Sequence, residues 1–401
     1  MKKSALFLLG IFIICFSPAC KKKKNDDCPN CPKIDALIPS SGKKGDTILI
    51  KGSNFSNYLV ENSVKFNGTV VAPTDMISGS DTELRVRVPG KCGTGPVTVA
   101  LDDELYSEEG PVFKYTYSAN LTIFAGKHST TGGDSNGGTS FKDLLMNHPT
   151  QVGVDASGNV FILDNVNLKV RKLNAATGLA EVLSDNTSLE GPCALAVDEN
   201  NVLFVSSFST TAKKSVVYKL TPGSTLPLFY FSDPDANKRH ISLSSEGNGQ
   251  FYIGRVPADY SAVIPQIRHY VPGKPLEAFA DSSGNVVAYK NGHLFQIRSI
   301  PVGASSTTVL TKYTLPAKAQ TTLIKANYGL NQSMGLVMDE NGNAYISDTN
   351  NNRILKYSAN GEVTTVVSVG LNKPMGIAID KQGNLYVADT FNNCIKKITF
   401  E

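Results

Sequence analysis

"SDTNNNRILKY" (Ser347–Tyr357) and "ADTFNNCIKKI" (Ala388–Ile398) are one phrase written twice, with Cys394 in the second copy where the first has Arg353. Each follows a similar run: "SMGLVMDENGNAYI" precedes the first and "KPMGIAIDKQGNLYV" the second. A third copy, "HPTQVGVDASGNVFILDNVNLKVRKLNAATGLAEVL", lies upstream. All three read strand, turn, strand, loop, strand, and the copies at His148 and Ser333 add a turn and a fourth strand. The turns are "DASGN", "DENGN" and "DKQGN", in which Gly158, Gly342 and Gly383 supply the positive φ of a tight hairpin. A unit of about forty residues recurring in this way is an array before it is anything else.

Beyond the clear copies, "GPCALAVDENNVLFVSS" opens a degenerate repeat with Cys193 on its first strand, where a thiol serves as a small hydrophobe. Strand alternation and spacing place two weaker repeats at about His240 to Ala280 and Asn285 to Ala326. The units then begin near His148, Gly191, Arg239, Gly284, Ser333 and Pro374. The repeat resembles the NHL family of β-propeller blades, which implies a six-bladed propeller over residues 120–401. The last blade stops at Glu401 after three strands. "LTIFAG" (Leu121–Gly126) resembles the outer strands "AEVLS" and "TTVVS", so it is expected to complete that blade and close the ring, removing two open sheet edges.

From Pro32 to about Tyr117 the pattern is different: short alternating runs such as "TILIKG", "SVKFNG", "ELRVRV" and "PVTVAL", broken by Gly, Pro, Asn and Asp. They predict a small β-sandwich. "PKIDALIPSSGKKGDTILIKGSNF", with Pro39, Ser41, Gly42, Gly45, Gly52, Asn54 and Phe55, then "VKFNG" and "GPVTV", resembles the IPT/TIG family, an immunoglobulin-like fold. The resemblance covers 33–117 and implies a spacer or interaction module without catalytic residues. Gly45 and Gly52 are expected to permit turns, and Phe55 to anchor the loop after the second strand. The chain as a whole is therefore expected to be all-β.

The first nineteen residues read as an export signal: Lys2 and Lys3, then an apolar run from Leu6 to Phe16 too short to span a bilayer. Ser17-Pro18-Ala19-Cys20 resembles the lipobox of bacterial lipoproteins, with Ser17 where that pattern prefers Leu. The resemblance implies lipidation of Cys20, the alternative being an ordinary cleaved signal. Lys21 to Lys24 and Asn25-Asp26-Asp27 continue a solvated tether (20–32) that resembles the export signals of surface lipoproteins in Bacteroidetes, so an outer-membrane, cell-surface location with a membrane anchor is expected. Without the six lysines of signal and tether, the formal charge passes from +4 to −2, which does not suit nucleic-acid binding.

Of the seven cysteines, Cys28 and Cys31 form a CxxC with no second pair to complete a zinc site. They are read as a small constraint at the tether's base, as a disulfide that could also involve Cys92. Cys394 is predicted to be a partly buried free thiol.

In a four-stranded blade with its first strand innermost, the loops between strands two and three share one face, here the top, with the links between blades. Asp164, Asp348 and Asp389 end their second strands and are expected to shape their own loops as Asx-turns, while Arg353 ties neighbouring loops together. The irregular loops supply the ligand-binding candidates: Arg255 and Tyr260 in "GRVPADYSAVIPQ", with His240, His148, Phe208, Phe391 and Asn350. Aromatic rings mixed with amides and charged groups suit sugars, although the chain has no Trp. His128, His148 and His240 offer a metal-site alternative, but no HExxH or P-loop occurs and no cofactor is implied. The expected function is capture of a glycan or other extracellular ligand on the top face. The alternatives are a propeller lyase or hydrolase and a module that docks other outer-membrane proteins.

Overall fold

The computed structural model describes residues 28–101, 105–107, 109–185, 189–221, 227–259, 266–281, 284–302, 305–325 and 328–401. The signal, Cys20, most of the tether and Tyr260 lie outside these residues. The chain divides into two compact units, Met1–Ser118 and Ala119–Glu401, and is all-β: an immunoglobulin-like sandwich followed by a six-bladed propeller. Among the described residues no helix is long and apolar enough to cross a membrane.

The sandwich packs two sheets. One holds Lys33–Ile38, Thr47–Ser53, Glu83–Arg87 and Met76–Gly79. The other is built on Val112–Tyr115, Gly95–Leu101 and Asn62–Phe66. Alternate residues of these strands, among them Ile48, Ile50, Val64, Phe66, Leu84, Val86, Val97 and Val99, are fully buried and form the core. The two glycines do different work. Gly45 sits in an open turn at φ +84°, as its position in the sequence predicts. Gly52 has no positive φ; a Cβ there would lie 1.9 Å from the Lys33 carbonyl oxygen and 2.5 Å from the Phe55 ring, so close approach and not a turn demands glycine. Cys28 and Cys31 form a disulfide, and Asn54 pins their loop by donating to the carbonyls of Pro29 and Cys31. Cys92 takes no part in it: it is a buried free thiol, pushed up to about 11 by burial.

In the propeller the six blades run from inside outward as follows. Blade 1 is Pro149–Val154, Val160–Asp164, Lys169–Asn174, Leu179–Ser184, with Thr139–Ser140 added outside. Blade 2 is Pro192–Val197, Leu203–Ser209, Lys214–Leu220, Leu228–Ser232. Blade 3 is Lys238–Gly247, Gln250–Pro257, Gln266–Tyr270, Glu277–Asp281. Blade 4 is Gly284–Lys290, His293–Val302, Ser305–Thr314, Ala319–Ile324. Blade 5 is Gly335–Met338, Ala344–Asp348, Arg353–Tyr357, Val363–Val367. Blade 6 is Pro374–Ile379, Leu385–Asp389 and Cys394–Phe400, completed by Ala119–Ala125. That closing strand pairs antiparallel with the last strand, Leu121 opposite Ile398, and bulges between Ile123 and Ala125.

The second strands explain the repeat's composition. "VFILD", "AYISD" and "LYVAD" are buried at every position, because both faces are covered by neighbouring blades. Outer strands such as Val363–Val367 are largely exposed or half-buried and carry threonine instead. The apolar clusters accordingly lie between blades. Val152, Val160 and Ile162 of blade 1 pack with Ala378, Tyr386 and Ala388 of blade 6, so the seam between the chain's ends is held by a core like the others. Gly158, Gly342 and Gly383 take φ of +82°, +79° and +81° in the turns between strands one and two.

Candidate binding face of the propeller

Asp348 shows what the repeated phrase does. Its carboxylate is fully buried. One oxygen accepts from the Asn331 backbone N–H at 2.7 Å and the Ser333 hydroxyl at 3.2 Å. The other accepts from the Asn351 amide at 2.8 Å and the Arg353 Nε at 2.7 Å. The expected Asx-turn does not form: the Asn350 N–H bonds to the Asn331 carbonyl, and the carboxylate meets its own loop through side chains while holding the link that enters its blade. Thr349 donates to the Pro374 carbonyl of the next blade at 2.7 Å, and Asn352, at φ +52°, accepts from the Lys373 N–H at 2.8 Å. Arg353 also donates to the Tyr328 carbonyl at 3.2 Å, tying two loops as its position predicts.

Blade 6 repeats the pattern across the ring closure. Asp389 accepts from the Asn372 N–H and the Asn392 amide, both at 2.7 Å. Thr390 donates to the Pro149 carbonyl of blade 1 at 2.8 Å, and Asn393 accepts from the His148 N–H at 2.8 Å. Cys394 replaces the arginine and is a fully buried free thiol, more enclosed than the partly buried group expected. Its sulfur lies 3.9 Å from Asp389 Oδ2. Burial first, then the adjoining carboxylate, push the thiol up to about 12. Burial likewise raises Asp389, with Lys396 and His128 acting against it.

In blade 1, Asp164 accepts from the Asn147 N–H at 2.7 Å, the Asn167 amide at 2.9 Å and Arg171 Nε at 2.7 Å. Arg171 is fully buried and also donates to the Ser135 carbonyl and to Asp134, both at 2.6 Å. Sequence reasoning passed over Arg171, since Lys169 holds the position of Arg353. The strand period of two exposes the substitution: a cation two residues further along the same strand projects from the same face. Lys396, 6% exposed, stands at that further position in blade 6.

Blades 2 and 3 correct three candidates. "GRVPADYSAVIPQ" is not all loop: its first residues extend the strand Gln250–Pro257, which buries Arg255 to 1% exposure. The pairing immediately before the first-strand bulge is Pro149 with Asp164 in blade 1, Pro374 with Asp389 in blade 6 and His240 with Arg255 here. Arg255 therefore occupies the aspartate position with its charge reversed. The acids come from the preceding link: Arg255 donates at 2.7 Å to both oxygens of buried Asp233, then to Asp235 and, at 2.8 Å, to Gln266. His240 is fully buried and lies between Ser206 Oγ at 2.8 Å and Asp233 Oδ2 at 3.0 Å. Burial lowers its basicity, against the pull of Asp233. Burial opposes ionisation of Asp233, but His240 and Arg255 outweigh it and hold the carboxyl below its usual range. Phe208 belongs to the strand Leu203–Ser209 and is 7% exposed, with the Arg239 guanidinium 6.0 Å from its ring centre. None of Arg255, His240 and Phe208 presents a ligand-facing side chain.

Ser206, His240 and Asp233 have the connectivity of a catalytic triad. All three are fully buried, so the serine oxygen meets no substrate. Cys193, at the bulge of the first strand of blade 2, lies 3.5 Å from the Ser206 carbonyl; burial raises its thiol, with Arg239 acting against it. Among the described residues no group of three or more His, Cys, Asp and Glu is arranged to hold a metal. His128, His148 and His240 are not such a group.

The candidates that do reach solvent lie on blades 6, 1 and 5. Phe391 is 44% exposed and meets the His148 ring edge to face, centroids 4.9 Å apart. His148 is half-buried at φ +52°, with Nδ1 2.8 Å from Asn147 Oδ1. Asn350 accepts from Lys373 Nζ at 2.8 Å and donates to Asn331 Oδ1 at 3.2 Å. Tyr328, 45% exposed, belongs to the link into blade 5. Down the axis, the first strands of all six blades line a cavity of about 280 Å³, with Gln151, Ser242, Ser244, Ser245 and Lys290 among apolar side chains. These innermost strands pair on one side only, so the cavity wall also offers unpaired backbone donors and acceptors.

Residues 32–117 match the IPT/TIG domain, and residues 371–398 match the NHL repeat. The chain joins an IPT/TIG domain to an NHL-type propeller. Two solved structures titled auxiliary nutrient binding protein, from Bacteroides ovatus and Bacteroides thetaiotaomicron, superpose with TM-scores of 0.54. They are 18% and 16% identical, and each comparison covers 92% of this chain and 98% of the other. A structure titled putative phosphatase from Bacteroides thetaiotaomicron, 12% identical, superposes at 0.53 over 92% of this chain and 97% of that one. At such identities the likeness is one of fold, and this architecture carries more than one functional name. A curated cyclomaltodextrin glucanotransferase from Paenibacillus macerans is 39% identical over 69 residues, which are 17% of this chain and 9% of that protein.

The NHL match covers only the last blade, where "GIAID", "GNLYVAD" and the Asn-rich loop coincide. Blade 3 gathers its incoming link with other residues, Arg255 bonding Asp233.

Proposed function

We propose that this chain is a lipid-anchored outer-membrane protein of the cell surface that captures a glycan on the top face of its NHL-type propeller, the IPT/TIG domain serving as spacer. The observation that carries the reading is the Phe391 ring, left 44% exposed beside His148 on a face that also carries the amides of Asn350, Asn331 and Asn147. An aromatic ring in that setting stacks on the C–H face of a sugar, while Asn350, Asn331 and Asn147 offer donors and acceptors to its hydroxyls. Structures of the same fold titled auxiliary nutrient binding protein support it, as do the lipobox-like segment and the charged tether. Burial of Ser206, His240 and Asp233 withdraws that triad from the lyase or hydrolase reading, which then rests on the exposed His128 and the half-buried His148.

Affinity electrophoresis of the purified full-length chain in gels containing polysaccharides tests the reading. Retardation by at least one polysaccharide, reduced in Phe391→Ala, is expected; migration unchanged in every gel, with a protein partner recovered by cross-linking on whole cells, would replace it by docking. Metabolic labelling with a fatty acid, lost in Cys20→Ala, checks the anchor.

A further inference from the structure

The inference rests on the glycan reading and concerns which glycans the face accepts. Charge on the top of blades 5 and 6 is one-sided. Four segments make up their loops and incoming links: 325–334, 348–353, 368–374 and 389–394. Their only carboxylates are Asp348 and Asp389. Both are fully buried and engaged with their own loops, so neither faces a ligand. The lysines remain at the surface, Lys325 exposed and Lys373 half-buried, and on the link into blade 1 the His128 imidazole is exposed and that of His148 half-buried.

Lys373 is the best placed of them. Its backbone is held at φ +52° by the N–H bond to Asn352, and its ammonium is oriented by the Asn350 amide oxygen, not neutralised by a carboxylate. The Phe391 N–H bonds to the carbonyl of Asn372, the residue before Lys373, so the aromatic ring and the ammonium are carried by bonded neighbours. An aromatic platform flanked by an oriented ammonium, on loops whose two carboxylates are both buried, attracts a ring that bears a negative group.

We infer that the top face selects anionic glycans, those carrying carboxylate or sulfate groups, with Phe391 stacking on the sugar ring and Lys373 and His148 receiving its negative group.

The test compares retardation of the full-length chain by polygalacturonate (carboxylated), dextran sulfate (sulfated) and neutral dextran and galactan. Stronger retardation by one of the two anionic polymers is expected, weakening as salt rises. Lys373→Gln should weaken it about tenfold, the loss of one charge-assisted hydrogen bond. Lys373→Arg should keep most of it, showing that the Gln variant lost charge and not its fold. Phe391→Ala should weaken it at every salt concentration, which distinguishes a site from plain ion exchange. Retardation by a neutral polymer equal to or above the anionic ones, unchanged in Lys373→Gln, would overturn the inference and leave glycan capture standing. No retardation by any polymer would overturn glycan capture and the inference together.

Discussion

Replacing Arg171 by methionine removes a buried guanidinium while keeping an unbranched side chain of similar length. Arg171 and Asp164 are both fully buried, and the substitution breaks the bonds to Asp164, Asp134 and the Ser135 carbonyl. The half-exposed Asp134 can turn to water, but Asp164 cannot, so its carboxylate is left buried without a cation. Breaking a buried pair from one side costs about 3–5 kcal/mol. At roughly 2–4 °C per kcal/mol for a domain of this size, Tm should fall by about 10 °C. Replacing both partners, Arg171→Met with Asp164→Asn, should recover much of the loss, because the stranded charge is gone. The pH dependence has a definite sign. Burial already raises the Asp164 carboxyl in the folded state, with Arg171 acting against it, so Arg171→Met raises it further. A carboxyl raised above its unfolded value is penalised while ionised, and the penalty fades as pH falls through the folded value. The deficit of Arg171→Met should therefore be largest near pH 7 and shrink toward pH 4. Urea unfolding followed by circular dichroism measures it. A deficit below about 1 kcal/mol, or one of the same size at both pH values, would refute the reasoning.

His240 is held neutral by burial, so below the ordinary histidine range the unfolded chain binds the extra proton and the propeller loses stability as pH falls through about 6.5; His240→Gln should flatten that slope in unfolding titrations between pH 7 and 5. The free thiols Cys92, Cys193 and Cys394 are all raised by burial, Cys92 to about 11 and Cys394 to about 12, so iodoacetamide at pH 8 should label the three only in denaturant, as peptide mass mapping would show. Gly376→Ala would place a Cβ 2.7 Å from Gln151 Cα and 2.9 Å from the Thr150 carbonyl, where the first strands of blades 6 and 1 meet; overpacking against backbone there should cost about 1–3 kcal/mol, and unchanged stability would contradict the close approach.

The fold was legible wherever one residue type answers one backbone demand. Turn glycines, alternating strands and the closing strand near Leu121 all carry local patterns, and the structure repeats them with small shifts of boundary, Ala119–Ala125 against Leu121–Gly126. The candidate face was legible only in part. Composition places Arg255 and Phe208 on loops and His240 on a blade link, but two second strands run several residues further than composition suggests and the first strand of blade 3 already begins at Lys238. Strand length at the top of a blade is decided by pairing with neighbouring strands, and that information is not local.

Cys394 against Arg353 turns on the same point. Each of these loops needs a buried aspartate to gather the incoming link, and that carboxylate needs positive charge nearby. Blade 5 places the cation on the first residue of the third strand, as Arg353. Blade 1 places it two residues on, as Arg171. Blade 6 has Lys396 at that later position, which frees the first for a small thiol where a Cβ on Gly126 would lie 3.1 Å from the Cys394 Cα. Cys394 is fully buried, so an arginine there has to displace its neighbours to fit. The cysteine thus follows from closure, and Cys394→Arg should weaken the pairing of Ala119–Ala125 with Cys394–Phe400. Hydrogen exchange on those two strands reads this directly: protection lost there first would bear out the steric conflict, and protection equal to the parent protein's would refute it.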